Sequence, residues 1–260
     1  MLKKPGGTAP PATTLDGLLD RRVTLEQPKT GYRVAVDTVL LAAAVPATAG
    51  EKALDLGCGV GGAMLCLAAR VPGISITGIE IDEELAQLCA GNIARNKFTE
   101  RLTVVSTDVA QDIGENYSFD HVFVNPPYHD EARHDVSSHK QKRAANIEKT
   151  GELKRWIGSA VTALKPSGTL TLIHRADRCD DILALLQKDF GTVEILPILP
   201  KEGTAPKRVI LRAQKGTPGD AKNLTKCYRK NFVLHQADGA YTEAAEAILR
   251  HRKALYFAAE

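Results

Sequence analysis

The sequence predicts an α/β fold, with one open, mainly parallel sheet, helices on both faces and an antiparallel hairpin at its C-terminal end. Three observations predict it. From Lys52 onward, short apolar segments alternate with helical ones, which is the order of successive βαβ units. A glycine-rich turn, "GCGVGG", follows directly on the first apolar segment. The last two apolar segments follow one another with no helical segment between them, as in a hairpin.

Taken in order, residues 1–14 are rich in Pro, Gly, Thr and Ala, lack apolar periodicity and read as a flexible tail. Residues 15–51 form an accessory segment, in which "YRVAVDTVLLAAAVPA" predicts a short helix begun near Asp37 or Thr38 and stopped by Pro46. Strands follow at about 52–57, 75–81, 102–108, 120–125 and 169–175, with helices at about 61–71, 83–96, 150–165 and 177–189. Strands near 192–198 and 208–214 bring the sheet to seven. Residues 52–215 are thus the core, and 216–260 a basic extension packed on it. Within the extension, Asp238-Gly239 marks a hairpin turn and Thr242 the N-cap of an amphipathic helix. The polar stretch before the 150–165 helix reads as a loop of about 20 residues. Trp156 is expected to pack that helix on the sheet, and His174 to be a core or crevice histidine.

Composition narrows the function classes. With 260 residues, 43% hydrophobic and 25% charged, the chain suits one main globular domain. Its apolar run Val39 to Val45 is far too short to cross a bilayer, and Lys3-Lys4 leads into Pro and Gly instead of a signal core. A cytoplasmic protein without membrane contact is expected. The five cysteines are scattered, with no C-x-x-C pair or neighbouring His at ligand spacing, so reduced thiols and no metal are expected. The net charge of +3 is unevenly spread: from Lys201 to Glu260 there are 12 Lys/Arg against 6 Asp/Glu. That excess suits an anionic partner for the C-terminal part and, equally on charge alone, a solvated lysine-rich surface.

The glycine turn sits in "ALDLGCGVGG", with Asp55 at the end of the first strand and Gly57, Gly59 and Gly61 behind it. Gly57, Gly59 and Gly62 also satisfy the G-x-G-x-x-G spacing of dinucleotide sites, so the turn alone leaves two cofactor classes open. Asp55 separates them, because a carboxylate facing the loop accepts hydrogen bonds from an α-ammonium but repels a pyrophosphate. The second strand ends in "GIEID", where Glu80 can accept both ribose hydroxyls of an adenosine. The third ends in "VVSTD", where Asp108 can accept from an adenine N6 amino group. Each acid has an ordinary alternative as a cap or a solvated charge. All three fall at successive strand C-termini, where open α/β sheets bind ligands.

The fourth strand runs into "VNPPY". Pro126 and Pro127 fix φ, remove two backbone donors and hold the preceding residues extended. The Asn125 side chain and the Pro126 carbonyl then aim at one place. Two fixed acceptors suit an NH2 group whose lone pair is delocalised, because accepting both hydrogens favours a tetrahedral, nucleophilic nitrogen without a strong base. Tyr128 supplies a flat face on which a planar group can stack, and Pro127 borders the acceptor pocket.

"DLGCGVGG", "GIEID", "STD" and "VNPPY" together resemble the motifs of class I S-adenosylmethionine-dependent methyltransferases acting on exocyclic nitrogen, a Rossmann-like fold. With "YRVAVDTVLLAAAVP" ahead of the glycine loop, the chain further resembles the bacterial tRNA adenine-N6 methyltransferases that modify the adenine beside the anticodon of a valine tRNA. The similarity runs from about Thr30 to Gln214, and the segment from about 215 to 260 departs from that family. The resemblance implies a seven-strand sheet and cofactor contacts at Asp55, Gly57, Gly59, Gly61, Glu80, Asp108 and Asn125. It also implies Arg33 and Asp37 closing over the cofactor's methionine end, and catalysis at Asn125, Pro126 and Tyr128. Apart from the resemblance, His129, His134, Lys140, Lys142 and Arg143 are of a type to hold RNA phosphates over the entrance, with a solvated mobile loop the equal alternative, and Arg208 on the final hairpin is a further candidate. The sequence leaves monomer and homodimer open.

Other classes fit less of the chain. A protein glutamine N-methyltransferase faces the same delocalised nitrogen, but about 50 residues ahead of the sheet are too few for a separate helical substrate-binding domain. A small-molecule O- or N-methyltransferase has less need of Asn-Pro-Pro-Tyr, since a hydroxyl wants a base or metal. A non-catalytic RNA-binding module would have no use for Asp55, Glu80 and Asn125 together, and an NAD-dependent dehydrogenase would use only the glycines.

Overall fold

The computed structural model describes residues 12–31, 33–109, 111, 119–127, 139–216 and 224–258, with the backbone alone for 139–150. The sheet core is β3 (Lys52–Leu56), β4 (Ser75–Glu80), β5 (Leu102–Ser106), β6 (Phe119–Val124), β7 (Leu164–Arg175), β8 (Phe190–Lys201) and β9 (Arg208–Lys215), preceded by a hairpin of β1 (Thr13–Leu18) and β2 (Val23–Pro28). Helices α1 (Val36–Ala44), α2 (Gly62–Arg70), α3 (Glu83–Arg95), α4 (His139–Ala163) and α5 (Cys179–Leu186) connect these strands or flank them. The extension adds β10 (Thr225–Tyr228), β11 (Phe232–His235) and α6 (Glu243–Leu249).

Strand order across the sheet is β10-β8-β9-β7-β6-β3-β4-β5, with β11 pairing further along the same edge of β8. The pairs from β5 to β7 are parallel, and β9 runs antiparallel between β7 and β8. The expected α/β sheet with a terminal hairpin is therefore present. Among the described residues its strand count is nine instead of seven, because β10 and β11 join β8 in parallel. These four-residue strands have too little sequence to announce themselves, and they exist by completing an edge that would otherwise expose unpaired backbone.

Apolar residues form one cluster on each face. Ala53 and Phe123 pack with α1, α2, α3 and α6, whereas Leu54, Leu56, Val122 and Val124 pack with α4 and α5. The period-2 alternation of buried strands thus separates the two layers. The extension contributes Ile248 and Leu255 to the first cluster, and the Leu255 N–H donates to Ala43 O at the end of α1.

Three further sequence expectations change. β1 starts at Thr13, inside the expected tail; residues 1–11 lie outside the described residues. The accessory segment carries the β1–β2 hairpin, whose turn holds Leu19, Asp20 and Arg21 at φ 52°, 56° and 60°. No glycine or Asn-Gly pair advertises that turn. The expected polar loop is helical from His139, since its Lys, Gln, Arg, Ala and Glu residues are strong helix formers.

The sheet's crevice lies where the chain, having built β3, β4 and β5 in one direction, returns to place β6 on the other side of β3. Leu56 is in register with Val124. The residues that follow, Gly57 and Asn125, consequently leave adjacent strands at the same rim, at a topological switch point.

Candidate active site

At this rim is a cavity of about 600 Å3, a size suited to a cofactor-scale ligand. Asp55, Gly57, Gly59, Glu80, Asp108, Asn125 and Pro127 all line it, so four strand ends meet in one space. α4 adds Glu152, Arg155 and Trp156 to the wall, and Val34 and Thr38 close it from the accessory segment.

Asp55 shares a face of β3 with Ala53 and is 3% exposed beneath the start of α2. Its Oδ2 accepts from the Met64 N–H at 3.2 Å. The N-cap of α2, Gly61, has no side chain to cap the helix, so Asp55 supplies that acceptor from the neighbouring strand. Cap and cavity wall are one residue. Burial, opposed by the Met64 N–H and helped by the nearby Glu80 charge, pushes the Asp55 carboxyl up to about 8. Without a cation beside it the group would hold its proton at neutral pH, and a bound cation would favour the ionised form.

Glu80 is also buried, and its two oxygens accept from the Gly59 N–H at 2.8 Å and the Asp82 N–H at 2.9 Å. The neighbouring acid, Asp82, instead caps α3 through the Glu84 and Leu85 amides. Asp108 forms an ion pair of 3.3 Å with Arg155 across the cavity mouth. Gly57 has φ +69°, and a Cβ there would come within 2.6 Å of the Trp156 ring, so strand end and indole approach as closely as the glycine allows.

Asn125 is half-buried, Pro126 buried and Pro127 exposed. Tyr128, the fourth residue of the motif, lies outside the described residues, as do His129 and His134. Among the described residues no group of three or more His, Cys, Asp or Glu side chains is placed to hold a metal ion, and no helix is long and apolar enough to cross a membrane.

Residues 32–199 match the methyltransferase small domain family. The chain belongs to that family. The methyltransferase is 31% identical over 236 residues to a Porphyromonas gingivalis protein named tRNA1(Val) (adenine(37)-N6)-methyltransferase, covering 85% of this chain and 89% of that one. An Aeromonas hydrophila protein of the same name is 27% identical, with 87% of this chain and 92% of that one covered. A crystal structure of a predicted O-methyltransferase from Agrobacterium tumefaciens superposes with a TM-score of 0.68 at 25% identity, over 85% of this chain and 98% of that one. Family and fold imply S-adenosylmethionine as the cofactor, and the sites expected for it at Asp55, Glu80 and Asp108 do share one cavity.

Other expected contacts of the methyltransferase are placed differently. Arg33 donates to Thr14 Oγ1, Pro28 O and Asp16 Oδ2, tying down the β1–β2 hairpin. Asp37 pairs with Arg208 at 2.7 Å, so the residue expected to hold a phosphate is neutralised by one expected to hold the cofactor. The cavity wall is formed by their neighbours Val34 and Thr38. Gly61 caps α2 behind the wall. Lys140, Lys142 and Arg143 lie on α4, in the part described by its backbone alone. His174 is buried in β7, and desolvation, with the Arg178 charge adding to it, lowers its pKa to about 4, which keeps it neutral and matches a core histidine.

Several wall residues escaped the sequence reading. Ile81 is 67% exposed although apolar, and with Leu85 and Val109 it gives the Glu80–Asp108 end of the cavity an apolar lining. Its signal was present in "GIEID", an apolar side chain between two acids at a strand end. Trp156 packs against the α4 side of the core as expected and borders the cavity as well.

Proposed function

We propose that this methyltransferase transfers the methyl group of S-adenosylmethionine to N6 of an adenine in tRNA. One observation carries the reading: Asn125 opens on the same cavity as Asp55, Glu80 and Asp108. The acidic wall suits a cation and an adenosine, and it disfavours the pyrophosphate of a dinucleotide. S-adenosylmethionine, when bound, supplies an electrophilic methyl group beside the acceptor. Asp55 would hold the α-ammonium, Glu80 the ribose hydroxyls and Asp108 the adenine amino group. Ile81 and Val109 would exclude water from the base.

Asn125 acts on the acceptor. An adenine amino group is a poor nucleophile because its lone pair is delocalised into the ring. Accepting its hydrogens at the Asn125 side chain and the Pro126 carbonyl favours the tetrahedral nitrogen, and the rigid Asn-Pro-Pro segment fixes both acceptors before the substrate arrives. The names of the P. gingivalis and A. hydrophila relatives support adenine in tRNA as the acceptor.

Labelled S-adenosylmethionine offered with unmodified tRNA, a protein extract or a pool of small metabolites tests this. Label in tRNA, recovered after digestion as N6-methyladenosine, is the expected result. Label in the protein or metabolite fraction, with none in tRNA, would overturn it.

A further inference from the structure

Two asparagines four residues apart, Asn92 on α3 and Asn96 at its C-cap, dock the β1–β2 hairpin. Each carboxamide pairs with the backbone of one β2 residue as a neighbouring strand would. Asn92 Oδ1 accepts from the Glu26 N–H at 2.7 Å and its Nδ2 donates to Glu26 O at 2.8 Å. Asn96 repeats the pattern on Thr24, at 2.9 and 2.7 Å. The spacing works because four helical residues rise about 6 Å and two strand residues about 6.7 Å.

Asn92 reaches the glycine loop and Asn96 does not. The Asn92 Nδ2 also donates to Val60 O at 3.0 Å, inside the glycine loop, and Val60 lines the cavity. Arg95 donates to Asn92 Oδ1 at 2.9 Å and to Glu26 Oε2 at 2.6 Å. The fully buried carboxamide therefore uses two donors and two acceptor sites. Its orientation is fixed, since a flipped amide would set its NH2 against the Glu26 N–H and the Arg95 guanidinium. The hairpin meets the loop at a second point: Gln27 Oε1 accepts from the Val34 N–H at 2.9 Å, and Val34 Cγ2 lies 2.8 Å from where a Cβ on Gly62 would stand.

We propose that Asn92 is a positioning residue for methyl transfer: by tying β2 to Val60 it fixes the spacing between the hairpin and the glycine loop, and with it the width of the cofactor cavity. This rests on the cavity being the S-adenosylmethionine site. Asn96 is its built-in control, with the same side chain and the same strand-like pairing but no bond to the loop.

The test compares Asn92→Ala, Asn92→Asp and Asn96→Ala by thermal denaturation, cofactor calorimetry well below each Tm, and steady-state kinetics. Both Asn92 variants are expected to raise the S-adenosylmethionine Kd and KM about tenfold or more, with kcat at saturating cofactor within about threefold of the parent. Asn96→Ala is expected to lower Tm while leaving Kd within about twofold. Arg95→Met, which frees the carboxamide and leaves its packing in place, should raise Kd about threefold and decides the matter if both Asn92 variants fail to fold. Asn92 or Arg95 variants that lose stability but bind the cofactor within about twofold of the parent would overturn the proposal. Absence of binding by the parent protein would instead overturn the cofactor reading.

Discussion

At the ends of β3, β4 and β5 the charged side chains face a cavity, whereas on β8 to β11 and α6 they face one another. Asp55 and Glu80 are buried against backbone amides beside ligand-sized space. In the C-terminal half, Glu194 holds both Arg212 and Arg229, Arg208 pairs with Asp37, and Arg250 with Glu246. Lys215 donates to Val161 O and Leu164 O at the end of α4, and Arg212 also stacks over Phe257 at 4.1 Å. Several of the positive side chains that suggested a nucleic-acid surface are thus engaged internally, and two of these contacts, Arg229 with Glu194 and Arg212 with Phe257, hold the extension onto the sheet. Net charge over a segment is a weak guide to a partner until the internal pairs are known.

The contrast predicts that rim substitutions damage chemistry and C-terminal ones damage stability. The largest effect is expected at Asn125. Asn125→Ala should cut turnover by about 10²- to 10³-fold and leave cofactor Kd unchanged, because its acceptor matters as the nitrogen becomes tetrahedral. Single-turnover kinetics with calorimetry checks both, and turnover within about tenfold of the parent would reduce the motif to a structural turn.

Next comes Asp55. Its folded pKa is raised, so the folded state keeps a proton that the unfolded chain releases, and this contribution to stability is complete below about pH 4 and lost as pH rises towards 8. A bound ammonium reverses the preference. Between about pH 5 and about pH 7, cofactor affinity should rise with pH, with uptake of about one proton by the buffer in calorimetry. Asp55→Asn should abolish that proton release and weaken binding more than about tenfold. A parent protein whose binding releases no proton would break the assignment.

Glu194→Gln sharpens the other side. It leaves Arg212 and Arg229 without their shared partner, half-buried, and should cost roughly 1–3 kcal/mol of stability, seen as a lower Tm. Cofactor affinity should not move. The smallest effect is expected from the exposed lysines of the extension: replacing Lys226, Lys230 and Lys253 by Ala should weaken tRNA binding by only about two- to fivefold, with a shallower salt dependence. A loss beyond about 100-fold would restore the extension as the main RNA surface.

Much of this site was legible because its signals are local. Asp55, Glu80, Asp108 and Asn125 each sit where an apolar run stops, and an α/β sheet brings such stops to one rim. What stayed hidden depends on distant partners. Asp37 and Arg208 are 171 residues apart, and neither sequence neighbourhood reveals the pair. The β1–β2 turn uses Leu19, Asp20 and Arg21 at positive φ, residues that rarely signal it, and β2 is held by Asn92 and Asn96 in place of a third strand. β10 and β11 acquire their meaning from the open edge of β8.

The central claim is that the rim brings an exocyclic amino nitrogen to the methyl donor. Its most direct measurement uses unmodified tRNA transcribed with 15N-labelled adenosine and S-adenosylmethionine carrying a 13C methyl group, followed by digestion and NMR of the methylated nucleoside. A one-bond coupling between the methyl carbon and N6 of adenosine is the predicted result. A methyl carbon bonded to a ring nitrogen or a ribose oxygen, or unmodified tRNA after prolonged incubation, would contradict it.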